Sequence, residues 1–222
     1  MDAAYLSALQ RYTRAVAERN MLLKQGGRDA AALEAFEHEL ATHALTLFVK
    51  REAGVAELSD LFRAAYARLV PEGDPSAGCR AESAGLVYAP DTAVTSREDF
   101  AAQLVKNRPR DTLLKSTERG PHRDDLELLL SGQPAKQFAS EGQQRCLVIA
   151  LRLAQAAYFK RQCGITPVLL CDDVLGELDP ARRACFWTSL EDEPQVIATG
   201  TSQPVVAGGW QVLEVAGGQV TA

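Results

Sequence analysis

The sequence predicts an α/β protein that carries a long helical arm. Three observations support this. Apolar residues recur at helical spacing from about residue 3 to residue 70; helix and strand patterns alternate from Ser140 onward; and the first strand of that alternation, Val168 to Cys171, is apolar throughout and runs into Asp172 and Asp173. Such alternation marks a parallel sheet flanked by helices, and a strand covered on both faces reads as a continuous apolar run.

In the arm, Leu9, Tyr12, Val16 and Leu23 fall on one helical face, and Gly26 with Gly27 stops that helix. A second periodic stretch begins near Ala30 and continues through Leu33, Phe36, Leu40, Leu47, Val55, Leu58, Phe62 and Leu69, as one bent helix or two, with Gly54 the expected bend. Together they form a helical hairpin, which serves either as a packing unit or as a binding arm. Pro71 to Gly78 is turn chemistry and closes the arm. A mixed region follows at about 79 to 164. Leu86 to Tyr88 reads as a strand, Ser96 and Asp99 cap a helix through Phe100 and Leu104, and Ser131 with Gly132 turns a hairpin whose strands are Leu126 to Leu130 and Ala135 to Phe138. Then come a helix from Glu141 to Arg161, the strand at Val168, a helix from Pro180 to Leu190, a strand from Gln195 to Ala198, and one last strand near Trp210 to Val215.

Composition narrows the class. Of 222 residues, 46% are hydrophobic and 24% charged, which suits a folded globular chain and excludes a disordered one. A formal charge of -5 argues against coating nucleic acid through bulk charge, so any DNA contact is local. No basic segment followed by an apolar one opens the chain, and no apolar run approaches the roughly 20 residues of a membrane span. A cytoplasmic protein without membrane association is expected. Five cysteines (Cys79, Cys146, Cys163, Cys171, Cys185) form no C-x-x-C pair, so they read as small buried hydrophobes in a reducing compartment, with no zinc site.

Two motifs carry chemistry. Ser140, Glu141, Gly142, Gln143 and Gln144 open a strongly helical stretch, where unpaired N–H groups and the helix dipole favour an anion such as phosphate. Ser-x-x-Gln is equally an ordinary capping box, with Ser140 capping and Gln143 reaching back. Gly142 in the first turn tips the balance toward a ligand, since glycine costs about 1 kcal/mol in a helix interior and is tolerated where something approaches the backbone. At the second motif, strand residues alternate faces, so Asp172 and Asp173 cannot do the same job. In nucleotide hydrolases one such carboxylate holds Mg²⁺ and its neighbour acts on the attacking water. A strand-end turn with solvated acids is the plainer alternative. Asp179, before Pro180, also reads as a plain helix cap.

In order and spacing these motifs resemble an ABC-type ATPase head: signature helix, Walker B strand, D-loop, helix and switch strand. Over essentially the whole chain the sequence is similar to the RecF family of bacterial recombination and repair proteins. Arg119, Gly120, Pro121, His122, Arg123, Asp124 and Asp125 match that family's GPHRDD block. Ser140, Gly142, Gln143, Gln144 and Arg145 match its signature, and Leu169, Leu170, Asp172, Asp173, Glu177, Leu178 and Asp179 match its Walker B and D-loop. Gln195, Val196, Ile197 and Thr199 resemble its switch strand, and Tyr12, Arg19 and Asn20 its first arm helix. The resemblance implies that Asp172 holds Mg²⁺, Asp173 polarises water with Thr199 as the switch, and Ser140 with the Gly142 backbone grips the γ-phosphate of ATP bound on a second head. Gly176, in the D-loop, and Gly200, between Thr199 and Thr201, depart from the family pattern, which has hydroxyl residues there.

The resemblance further implies a signature lobe at residues 1–164, and at 165–222 the C-terminal portion of an ATP-binding lobe. It implies a weak ATPase that forms an ATP-dependent homodimer, binds double-stranded DNA near single-strand gaps, and aids recombinase loading with RecR/RecO-type mediators in replication-linked repair and the SOS response. No Gly-x-x-x-x-Gly-Lys-Ser/Thr occurs in these residues, so ATP and Mg²⁺ are expected only with a P-loop-bearing half, and the chain alone is expected to be inactive. A fragment or a late start codon is the expected reason, ahead of a relative without a P-loop. Arg11, Arg14, Arg19, Lys50, Arg51, Arg63 and Arg68 are the candidate DNA contacts on the arm, and solvated helix faces explain them equally well. The rival readings are a non-catalytic half-head that lends its signature in trans and a Rad50-like or SMC-like head. The GPHRDD block and the short arm, without sustained heptads, count against the second of these.

Overall fold

A computed structural model describes residues 2–70, 82–173, 178–190, 195–201 and 210–221. The chain divides into two compact units, one formed by 1–59 with 86–128 and the other by 60–85 with 129–222. Helix α2, Ala30–Leu69, contributes residues to both.

In the first unit, α1 (Ala3–Lys24) starts at Asp2, whose side chain accepts from the N–H groups of Ala4 and Tyr5. The core joins Ala8, Tyr12 and Ala15 of α1, Leu40, Ala41, Ala44 and Leu47 of α2, Val94, and Phe100 and Leu104 of α3 (Arg97–Leu114). Helix α2 runs unbroken for 40 residues through Gly54, around which there is open space. Ser96 caps α3 as expected, accepting from the Asp99 N–H at 3.0 Å. The helix then extends ten residues past Leu104 and accommodates Pro109 on the way, ending at Lys115 in the left-handed conformation.

Arg19 lies at the centre of this unit with no exposed surface. Its Nη1 donates to Asp111 and to Thr117 at 2.8 Å each, and its Nε and Nη2 reach Glu37 at 3.2 and 3.1 Å. Arg108 grips the same Glu37 carboxylate with bonds of 2.6 to 3.0 Å. Asn20 Oδ1 accepts from the backbone N–H and the hydroxyl of Thr117, at 2.7 and 2.8 Å. Arg19 is therefore no DNA contact: a guanidinium sealed among two carboxylates and a hydroxyl is a packing element.

Strands β1 (Ala84–Ala89), β2 (Asp125–Leu130) and β3 (Gln133–Pro134) form a sheet in that order. In the second unit Leu129 and Leu130 pair antiparallel with Pro134 and Gln133 across Ser131 and Gly132, whose φ angles of 49° and 79° suit a tight hairpin turn. The expected strand at Ala135 to Phe138 is a helical turn instead, α4 (Ala135–Phe138). The two-residue turn starts β3 at once, and Pro134 ends it, since proline has no N–H for a ladder and its fixed φ suits a helix entry.

The second unit is dominated by α5 (Glu141–Cys163), which ends at Gly164 with φ 66°. It buries Cys146, Leu147, Ile149, Ala150, Leu153, Ala154 and Ala156. Strand β4 (Leu169–Asp172) pairs in parallel with β5 (Val196–Thr199), and α6 (Pro180–Ser189) lies between them in sequence. The sheet is not covered on both faces as expected: Leu170 is 75% and Ile197 53% exposed. In place of one last strand, β6 (Glu214–Ala216) and β7 (Gln219–Thr221) make a hairpin. Trp187 of α6 meets Phe186 and Trp210 edge-on, with ring centroids 5.3 and 4.9 Å apart. Cys146 is buried and Cys171 and Cys185 are half-buried, but Cys163, the last residue of α5, is exposed; Cys79 and the Pro71 to Gly78 loop lie outside the described residues.

Candidate functional site

The first turn of α5 is organised by its own sequence. Ser140 is extended, with φ -63° and ψ 161°; its hydroxyl accepts from the Gln143 N–H at 3.3 Å, and Gln143 Oε1 accepts from the Ser140 N–H at 2.7 Å. This is the complete reciprocal capping box. Gln144 donates to the Ala139 carbonyl at 3.0 Å, and Arg145 pairs with Glu141 at 2.8 Å. At Gly142 an added Cβ would stand 3.2 Å from Nη1 of Arg182. Glycine here makes room for a guanidinium of the same chain.

Arg182 comes from the start of α6. Asp179 caps that helix, accepting from the Arg182 N–H at 2.9 Å, with Pro180 as its first residue. The same carboxylate faces the Arg182 side chain at 3.6 Å. Leu178 is buried and its carbonyl accepts from Arg183 at 3.2 Å. Glu177 and Gly176 lie outside the described residues.

The carboxylate pair sits where β4 meets β5. Parallel register puts Asp172 opposite Thr199. The Thr199 hydroxyl donates to Asp172 Oδ1 at 2.6 Å and accepts from the Asp173 backbone N–H at 3.1 Å. One hydroxyl thus fixes both neighbours, using its single donor and one of its lone pairs. Asp173, the residue after the strand, takes φ 48°, in the left-handed region. Both acids are exposed. Asp172 offers a hard carboxylate oxygen braced by Thr199, a donor that would suit a Mg²⁺ ion held by one or two protein carboxylates. Among the described residues no group of three or more His, Cys, Asp or Glu side chains converges as a metal cage.

The GPHRDD block lies in the first unit and is consumed by internal bracing. Gly120 has φ 130°, and a Cβ there would fall 2.5 Å from the Tyr12 hydroxyl and 2.9 Å from the Phe100 ring. His122 Nε2 lies 2.9 Å from the Thr117 carbonyl, which can only accept, so Nε2 carries hydrogen; Nδ1, 2.9 Å from Tyr12, then accepts the phenolic proton. Burial, reinforced by the Asp124 charge, raises the Tyr12 phenol above its ordinary pKa. Asp124 accepts from Arg51 at 2.7 Å, from the Tyr88 hydroxyl, and from the Asp91 N–H at 3.1 Å. Burial opposes the charge on Asp91, yet the Gly120 N–H, the Thr92 hydroxyl and Arg119 together hold its carboxyl below the usual range. Pro121 accepts from Arg51 at 2.5 Å, and Arg123 pairs with Glu118 at 3.0 Å. Arg51 thus braces this block as well as standing among the candidate DNA contacts. Of the others, Arg11, Arg14 and Arg68 are exposed, Lys50 is exposed and pairs with Asp2 at 2.9 Å, and exposed Arg63 pairs with Asp60.

Sequence reading missed Arg182, Glu82 and Tyr66. Arg182, three residues past the Asp179 cap, offered a weak signal. Glu82 and Tyr66 offered none.

No family profile matches the chain. Among curated relatives named "DNA replication and repair protein RecF", that of Thermosynechococcus vestitus is 33% identical over 227 residues, covering 99% of this chain and 59% of the relative. That of Myxococcus xanthus is 35% identical over 230 residues, covering 98% and 59%, and that of Moorella thermoacetica 36% over 203 residues, covering 90% and 52%. Two solved structures of the recombination mediator RecF in the RecFOR pathway share the fold. The one described as RecF-ATP gives a TM-score of 0.79 at 26% identity, and the one described as RecF-ATPrS gives 0.77 at 25%. Each covers 99% of this chain, which spans 58% of theirs. Fold and neighbours define the class: part of an ABC-type ATPase head. Within that class, the chain corresponds to the C-terminal part of RecF-family proteins and spans about three fifths of the length of relatives such as those of Thermosynechococcus vestitus and Myxococcus xanthus.

Proposed function

We propose that this chain supplies the signature helix, the Walker B strand and the switch threonine of a RecF-type head that dimerises with ATP and binds double-stranded DNA near single-strand gaps during recombinational repair. RecR/RecO-type mediators are its partners, and the cytoplasm is its compartment. No helix among the described residues is long and apolar enough to cross a membrane. Residues 1–164 form the signature lobe and 165–222 the C-terminal portion of the nucleotide lobe.

The observation that carries this reading is the Thr199 hydroxyl held between Asp172 and the Asp173 N–H. It ties the strand-end acids to the switch strand, so a change at Thr199 repositions both. Asp172 is the ligand for Mg²⁺, which, when bound, neutralises charge building up on the phosphate oxygens. Asp173, left-handed in its backbone just past the strand, orients and deprotonates the attacking water. Ser140 and the Gly142 N–H, at the positive end of α5, bind the γ-phosphate carried by the second head. The exposed Leu170 and Ile197 fit a sheet face that a P-loop-bearing segment covers.

The two acids should separate in a complete head, in which a P-loop segment is joined to this chain. Asp173→Asn is expected to abolish hydrolysis and retain ATP-dependent dimerisation, because its charge acts mainly in the transition state. Asp172→Asn is expected to weaken Mg-ATP binding itself, by about tenfold or more, the scale of one lost charge-assisted contact. Calorimetry with single-turnover kinetics reads both, and equal loss of binding in the two variants refutes the assignment.

A further inference from the structure

The glutamine of the capping box is itself held from behind. While Gln143 Oε1 accepts from the Ser140 N–H, its Nε2 donates to Glu82 Oε1 at 2.6 Å. The other Glu82 oxygen accepts the Tyr66 phenolic proton at 2.7 Å. Tyr66 is 1% exposed, three residues before the end of α2, so the far end of this series of bonds is set in packed core. Burial first, and then the bond to Glu82, push the Tyr66 phenol above its ordinary pKa. Ser140, at the near end, is exposed.

Resting on the nucleotide role proposed above, we infer that Glu82 is a positioning residue for the signature: bridging Tyr66 and Gln143, it fixes the first turn of α5 and with it the directions of the Ser140 hydroxyl and the Gly142 N–H. An exposed capping box frays by itself, since its glutamine has several rotamers and only one reaches back. Glu82 selects that rotamer by presenting an acceptor to the amide nitrogen. Binding groups act only when held close to their working geometry by partners that are themselves locked, and Tyr66 is the locked partner here.

The bridge distinguishes a substitution that keeps the side chain's shape from one that removes it. In Glu82→Gln the amide oxygen still accepts from Gln143 and the amide nitrogen donates to the Tyr66 oxygen, so both contacts persist. In Glu82→Ala both are lost. The test uses the complete head and reads nucleotide affinity of the monomer, ATP-dependent dimerisation, and turnover in mixed dimers with one working P-loop site. Glu82→Ala is expected to weaken dimerisation about tenfold, the size of losing bonds to a charged group, with monomer nucleotide affinity unchanged and Glu82→Gln within about twofold of wild type. In mixed dimers the loss should follow the subunit that presents its signature to the working site. Wild-type dimerisation in folded Glu82→Ala, with only a lowered melting temperature, overturns the inference and leaves Glu82 a structural tie. Should Glu82→Ala fail to fold, Tyr66→Phe keeps the packing and removes one anchor. A soluble Tyr66→Phe head should then dimerise about threefold more weakly, and wild-type behaviour overturns the inference just as surely. Ser140→Arg separates the two levels. If dimerisation survives that change, the nucleotide role falls and the Glu82 role with it; if Ser140→Arg blocks it and Glu82→Ala does not, the Glu82 role alone falls.

Discussion

Position 120 accepts no Cβ, for two independent reasons. Its φ of 130° is a region L side chains rarely enter, and the new atom would sit 2.5 Å from the Tyr12 oxygen and 2.9 Å from the Phe100 ring. Both neighbours are buried, so neither can step aside. Gly120→Ala is expected to destabilise the fold by about 2–4 kcal/mol, which a urea titration would register as a clear drop in midpoint; an unchanged midpoint contradicts the packing described. The same block shows why site residues are hard to assign from sequence. Gly120, His122 and Asp124 stand out as a motif, but a motif does not say whether it serves a ligand or the fold, and here its described partners are Tyr12, Thr117, Arg51, Tyr88 and Asp91. Arg19 was misplaced for a related reason. A cation on an amphipathic helix normally faces water, and only the distant Asp111 and the nearer Glu37 make its burial tolerable.

Elements were most legible where a single local rule decided them. Helix α1 stops at its two glycines, α3 starts at Ser96, α5 at Ser140 and α6 at Asp179, and all four starts and stops follow from capping chemistry. Element ends that depend on packing were not legible. Of the two expected forms of α2, one helix or two, the chain takes the single helix, which runs unbroken through Gly54 with buried positions on both sides of it. Since nothing lies within reach of a Cβ at Gly54, Gly54→Ala should stabilise the chain by about 0.5–1 kcal/mol, raising the thermal midpoint by a few degrees. A lowered midpoint would mean that the helix needs glycine at this position. Helix α3 likewise passes Pro109, a residue with no N–H to give the helix, while Phe100, Leu104 and Asp111 are buried along it. At the carboxylate site the sequence showed two adjacent acids but not the hydroxyl between them, because Thr199 is 27 residues away from Asp172 and meets it only through strand register.

Across the whole chain, three tyrosines give stability a defined dependence on alkaline pH. Burial raises the phenols of Tyr12, Tyr66 and Tyr88 above their ordinary value, and the neighbouring carboxylates Asp124 and Glu82 add to the rise. The native state therefore keeps its phenolic protons at pH values where the unfolded chain has lost them. Stability from these groups is complete below a pH of about 10, the unfolded value, and declines as pH rises from there through the folded values. Denaturant melts between about pH 9 and 11.5 should show that decline, and Tyr12→Phe should make it shallower; a slope untouched by the substitution would assign the loss to other groups. The uncovered face of β4 and β5 acts at the same scale. Val168, Leu170 and Ile197 present a short stripe of branched aliphatic side chains to water at 49%, 75% and 53% exposure. Such a stripe makes a protein colloidally sticky, because excluded salts such as sulfate drive apolar patches together. Purified by itself, the chain should salt out at lower ammonium sulfate than its net charge of -5 suggests, and Leu170→Lys should move that precipitation point upward without altering the melting temperature.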